Sequence, residues 1–180
     1  MSDTMEERIL STTSIYQGRV VKLDVHQIEL PNGTRSQREI LSHPGAVAIV
    51  ALDDAQQVLL VRQFRMAAGK VMLEIPAGTL EPNEPIDLCA ERELREETGY
   101  RPLQLERLGG FFVAPGYTSE YIHLYLAQGY TPDPLNMDED EQIEVISMPL
   151  SQALGLIETG EIHDGKSVIG LLRVARLLGL

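Results

Sequence analysis

At 180 residues, with 43% hydrophobic and 23% charged side chains, the chain has the length and composition of one well-packed domain, with room for a small extension. A formal charge of −12 argues against any broad basic footprint for nucleic acid or anionic lipid, and an anionic substrate would be repelled unless metal ions or placed arginines reverse the local sign. The longest apolar runs, such as the one from Gly45 to Leu52, are too short to span a bilayer, the acidic N-terminus lacks an export pattern, and the single Cys89 cannot form an internal disulfide, so a cytoplasmic location with no membrane partner is expected.

In chain order, Val20–Leu30 and Thr34–His43 flank the turn Pro31-Asn32-Gly33, which predicts a hairpin in a small antiparallel N-terminal region covering residues 1–44. The main domain is expected over 45–180. It begins with two strands rich in Val, Ile and Leu, at 46–54 and 57–65, whose near-continuous apolarity predicts a sheet buried on both faces. A short strand ending at Pro76 follows. Residues from about Pro85 to Thr98 have helical composition, with Pro85 suited to the first turn and Gly99 to the position just past the end. Three further strands are expected within 105–115, 120–128 and 142–150, then helices from Leu150 and Gly165. The last helix should turn Val168, Leu171, Leu172, Ala175 and Leu178 toward a sheet. The fold class is α+β: a mixed sheet flanked by helices.

Seven acidic residues, Glu81, Glu84, Asp87, Glu91, Glu93, Glu96 and Glu97, fall between Gly78 and Tyr100. On a helix, Glu93, Glu96 and Glu97 are three and four residues apart and share one face, which would make a hard oxygen cage suited to magnesium. An isolated E-x-x-E-E is more often a solvated acidic face. Here the surroundings add a pattern: Gly78, Glu84, Arg92-Glu93-Leu94, Glu96-Glu97 and Gly99-Tyr100 stand at the spacing G-x5-E-x7-R-E-U-x-E-E-x-G-U, with U a bulky apolar residue. The segment resembles the Nudix box at every fixed position.

That resemblance implies a loop-helix-loop on an α/β/α sandwich and hydrolysis of a nucleoside diphosphate linked to another group. It implies Glu93 and Glu97 as principal metal ligands, Glu96 as a further ligand with a catalytic part, and the Ala77 carbonyl as a backbone ligand. Arg92 and Glu84 would brace the loop by pairing with each other. Glu81, Asp87 and Glu91 are left as solvated charge. The flanks, Glu74-Ile75-Pro76-Ala77-Gly78, the run Val61–Arg65, Pro115 sixteen residues beyond Gly99, and the run Asp164–Leu172, resemble the ADP-ribose pyrophosphatase branch. In that branch an acidic loop before the last strand completes the site. Glu141 would then be a metal-side residue and Glu139 the base, although a two-residue slip would exchange them.

The expected reaction is Mg²⁺-dependent cleavage of ADP-ribose to AMP and ribose 5-phosphate, with Mn²⁺ as a substitute metal. Arg65 would grip a phosphate, Glu74 accept from a ribose hydroxyl, Pro115 lie in the substrate loop, and a tyrosine or phenylalanine such as Tyr16, or an arginine, stack on the base. By resemblance the N-terminal region also implies a homodimer. Alternatives are a GDP-mannose or broad ADP-sugar pyrophosphatase with the same catalytic residues, and a non-catalytic ADP-ribose sensor, which would predict lost box carboxylates. Cys89 is expected to be a small core residue.

Overall fold

The computed structural model describes residues 5–136 and 142–180. It separates into two compact units, the first made of residues 1–45 and 112–121 and the second of 46–111 and 122–180. The sequence boundary at 44 did not anticipate that 112–121 joins the first unit.

In the first unit, β1 (Arg8–Gln17), β2 (Lys22–Glu29) and β3 (Arg35–Ser42) form an antiparallel sheet in that order. The β2–β3 pair is the hairpin expected around Pro31-Asn32-Gly33, with Gly33 N–H donating to the Leu30 carbonyl at 2.8 Å. β1 was not foreseen. Its sequence, RILSTTSIYQ, mixes Ser and Thr with apolar residues and bulges twice against β2, so no clean alternation marks it. Residues 112–121 belong with this sheet because Leu41 N–H donates to the Tyr117 carbonyl at 2.8 Å and Ser119 N–H to the Leu41 carbonyl at 3.0 Å.

The second unit is built on β4 (Ala46–Leu52), β5 (Gln57–Arg65), β6 (Lys70–Glu74), β7 (Ala77–Thr79), α1 (Ile86–Thr98), β8 (Tyr100–Phe112), β9 (Tyr121–Pro132), β10 (Glu144–Pro149), α2 (Leu150–Glu158) and α3 (Gly165–Leu177). The sheet order is β10-β5-β4-β9-β8, with β6 beside β5 and β7 beside β4. β4 runs parallel to β9 and antiparallel to β5 and β7, so the sheet is mixed.

Every residue of β4 is buried, and its side chains alternate between two cores. Ala48, Val50 and Leu52 pack with Leu150 and Ala153 of α2 and Leu171 and Val174 of α3. Val47, Ile49 and Ala51 face Cys89, Ala90 and Leu94 of α1. Period-two alternation in a strand with helices on both sides gives the layered α/β/α arrangement.

One detail corrects the sequence reading. α3 buries Ser167, Gly170, Leu171, Val174 and Ala175, whereas Leu172 and Leu178 are exposed. The helix sits so close to the sheet that a Cβ on Gly170 would lie 2.9 Å from Ile75 Cδ1 and 3.1 Å from Val50 Cγ2. This close approach rotates the buried stripe onto the small residues.

Candidate active site

Helix α1 starts after Pro85, which is extended, and stops at Gly99, whose φ of 78° is the left-handed cap that glycine adopts without steric cost. Its start is anchored by Asp87, which accepts from the Tyr125 hydroxyl at 2.7 Å and from Arg107 Nε at 2.7 Å. Asp87 is therefore more than the solvated charge expected of it. Tyr125 is a core residue of β9 at 1% exposure, so the first turn of the helix is tied to the centre of the sheet.

The apolar side of α1 contains one carboxylate. Glu97 is 4% exposed, and its Oε2 accepts from the Ala77 N–H at 2.9 Å. A buried carboxylate is tolerated only with such partners. The contact sets the main chain at Ala77 against the last turn of α1.

Arg92 organises the remaining acids. Its Nε and Nη2 donate to Glu84 Oε1 and Oε2, both at 2.8 Å, in a two-point fork, which is the bracing pair expected from the sequence. Its Nη1 donates to Glu93 Oε1 and Glu96 Oε2, again both at 2.8 Å. One guanidinium thus gathers three carboxylates. Hydrogen bonds from Arg92, with another from the Glu81 N–H, hold the Glu84 carboxyl down at about 2 despite its burial. Burial pushes the nearby Cys89 thiol well up, which fits a packing residue and not a nucleophile.

Glu93 reaches the strand that precedes the helix. A Cβ built on Gly78 would fall 1.9 Å from Glu93 Cδ and 2.0 Å from its Oε2, so the carboxylate lies in the space any side chain at 78 would fill. Among the described residues, no three His, Cys, Asp or Glu side chains stand as a ready metal cage. Arg92 occupies the position between Glu93 and Glu96. The donor set nevertheless fits a hard divalent cation: Glu93, Glu96 and Glu97 supply only oxygen, and the vacant Cβ position at Gly78 brings Glu93 onto the same stretch of main chain as Ala77.

A second charged cluster is built from β5, β6 and the start of α3. Arg65 Nε and Nη2 donate to Glu74 Oε1 and Oε2 at 2.9 and 2.7 Å, and Lys166 Nζ also bonds Glu74 Oε2. Burial alone would raise the Glu74 carboxyl, but the Arg65 hydrogen bonds and the Lys166 charge outweigh it and hold it below its ordinary value. At 1% exposure and with both oxygens engaged, Glu74 has little access to a ribose hydroxyl and a clear task in orienting Arg65. Lys166 was not singled out from the sequence. The run Asp164–Leu172 that contains it was read only as a mark of the branch.

Tyr16 is in the first unit, exposed, with its ring 2.8 Å from where a Gly18 Cβ would be; Pro115, also exposed, occupies a turn in the same unit. Glu139 and Glu141 fall outside the described residues.

Comparison with known proteins adds independent findings. The sequence profile of the NUDIX domain matches residues 42–169. The chain is 44% identical to a methanol dehydrogenase activator of Bacillus methanolicus, over 95% of this chain and 94% of that one. It is 39% identical to an ADP-ribose pyrophosphatase of Bacillus subtilis, with 93% and 92% covered. Among solved structures, an ADP compounds hydrolase superposes with a TM-score of 0.87 at 26% identity, covering 99% of this chain and 97% of the other.

Proposed function

From the premise that the chain belongs to the Nudix family, we propose that it hydrolyses the pyrophosphate bond of ADP-ribose to AMP and ribose 5-phosphate, or that of a similar nucleoside-diphosphate sugar to the matching nucleoside monophosphate and sugar phosphate. The observation that carries this is the intact cluster in which Arg92 joins Glu84, Glu93 and Glu96, Glu93 lies against Gly78 and Glu97 accepts from Ala77, together with a relative of that name over most of both chains. Retention of every box carboxylate argues against a non-catalytic sensor.

Glu93, Glu96, Glu97 and the Ala77 carbonyl would hold a divalent cation, Mg²⁺ or in substitution Mn²⁺, with Glu141 as a further ligand. When bound, such an ion neutralises the diphosphate and lowers the pKa of water. The remaining work belongs to the chain. Arg92, locked to Glu84, keeps the helix and the loop before it in one geometry. Arg65 presents its outward N–H groups to a phosphate oxygen while Glu74 fixes its plane. Glu139 takes a proton from water as the oxygen attacks one phosphorus in line; the bond to the bridging oxygen breaks, and that oxygen leaves with the other phosphate.

Hydrolysis of ADP-ribose, ADP-glucose and GDP-mannose with Mg²⁺, beside Glu97→Gln, tests the reading. Loss of at least about 100-fold in kcat is expected for the variant, as for removal of a group that acts in the transition state. Equal activity in the variant would refute the metal assignment, and preference for GDP-mannose would select the alternative substrate. The identity to a protein named as an activator favours a second reading, in which the chain raises the turnover of a methanol dehydrogenase; assaying that enzyme with and without the chain decides it.

We further place the protein in the cytoplasm as a homodimer. β1 is exposed along all ten residues, including Ile9, Ile15 and Tyr16, and such a strand needs cover. A monomer in sedimentation at micromolar concentration would reject the dimer.

A further inference from the structure

The cluster at the start of α3 contains a residue whose task the proposed reaction does not yet explain. Lys166 is on the helix, ninety-two positions from the Glu74 it touches, and its side chain is only 11% exposed. It is too enclosed to be a surface charge. Asp164 caps α3 by accepting from Ser167 N at 3.0 Å and Ser167 Oγ at 2.6 Å, and the same Asp164 Oδ2 accepts from Lys166 Nζ at 3.0 Å. The cap therefore fixes where the ammonium group stands. Ser167 Oγ in turn accepts from Ile75 N at 2.9 Å, so Lys166 and Ser167 hold the side chain of residue 74 and the backbone of residue 75 together.

Of the five N–H donors of Arg65, two are engaged by Glu74 and three remain on a side chain that is 41% exposed. Alone with Arg65, the Glu74 carboxylate would both orient the guanidinium and cancel its charge. Lys166 brings a second cation and Asp164 a second carboxylate, so the four groups balance in charge; what Lys166 changes is how the Glu74 carboxylate is held, because its ammonium takes Oε2 from the α3 side while Arg65 takes both oxygens from β5.

Resting on the pyrophosphatase reading above, we infer that Lys166 is a positioning residue for the diphosphate: by sharing the Glu74 carboxylate from α3, it holds that carboxylate square to Arg65 and so aims the outer donors of Arg65 at a phosphate oxygen. Lys166 acts through Arg65 and does not touch the substrate. The Asp164–Ser167 helix start is then part of the substrate-binding apparatus, although it lies at the far end of the sequence from β5.

The test is a double-mutant cycle read in KM and kcat for ADP-ribose at saturating Mg²⁺, with melting temperature as a check on folding. Lys166→Met should raise KM about tenfold with kcat changed less than about threefold, and the same substitution in an Arg65→Ala background should add less than about twofold. Lys166→Arg, which keeps the charge, should recover KM to within about threefold of the parent. A KM unmoved by Lys166→Met, or a rise of the same size in the Arg65→Ala background, overturns the inference; the second result would mean that Lys166 meets the phosphate itself. Should Lys166→Met fail to fold, Lys166→Ser, whose hydroxyl can meet the nearby Asp164 but is too short to reach Glu74, carries the same comparison. If Arg65→Ala alone leaves KM unchanged, it is the grip of Arg65 on the diphosphate that fails, and this inference falls with it. If Arg65→Ala raises KM and Lys166→Met does not, only this inference fails.

Discussion

Gly78 is specified by space. The nearest obstacle to a Cβ there is the tip of Glu93, a flexible side chain that can swing away, so Gly78→Ala should cost less than about 1 kcal/mol of stability. Swinging Glu93 away removes a proposed metal ligand, and kcat should fall by about 100-fold or more. Melting temperature and kcat measured on the same preparation check this dissociation of folding from activity. Glu84 makes a separate prediction. Its folded value of about 2 lies below the ordinary 4.5, so the folded state binds the proton less readily. The resulting stabilisation is complete above the ordinary value and is lost as the pH falls toward 2. Thermal melts of Glu84→Gln and the parent, taken without metal across this window, should differ most at the upper end and converge at the acid end. At this scale the sequence was informative wherever spacing was local. Glu93, Glu96 and Glu97 are one helical turn apart, and Arg92 and Glu84 flank the same loop. The Lys166–Glu74 and Tyr125–Asp87 pairs were hidden because each joins elements far apart in the chain, and no periodicity records such a meeting.

Among the elements, α1 depends on its two ends. The Tyr125 hydroxyl is held in the core and donates to Asp87, so Tyr125→Phe should cost about 1 kcal/mol, the usual net value of one hydrogen bond. For a chain of this size that is a fall of about 2–4 °C in melting temperature. Asp87→Ala should destabilise by a similar amount or somewhat more, since Arg107 also loses its partner, and the double variant should add little to it; full additivity would show that the two residues do not act as a pair. The central strands and all three helices were legible because their apolar runs, the Gly99 stop and the Pro85 start are local signals. β7 was not, being three residues within a loop motif, and β1 lacked an apolar face to reveal it. The stripe on α3 was misread at Leu172 and Leu178 because a close helix–sheet contact selects glycine and alanine, which a hydrophobicity pattern undervalues.

For the whole molecule, the net charge of −12 and the gathered carboxylates make cation binding a stability term. A ligand bound only by the folded state contributes about 2.7 kcal/mol when present at 100 times its Kd. Saturating Mg²⁺ or Mn²⁺ should therefore raise the melting temperature by about 5–10 °C, and EDTA should reverse the shift. Glu97→Gln should abolish most of it. A melting temperature indifferent to either metal would leave the acidic cluster without its proposed occupant.

The contact between Gly78 and Glu93 also has an evolutionary reading. Each position reserves room for the other: the atom that residue 78 lacks is the place where the oxygens of residue 93 rest. Selection on one should then be visible at the other, so that lineages in which position 78 has acquired a side chain are those in which position 93 has been released from its carboxylate. An alignment of relatives can be scored for that joint substitution, which would separate hydrolytic descendants from ones that have drifted to another use. Independent variation at the two sites, among members that still hydrolyse, would contradict it.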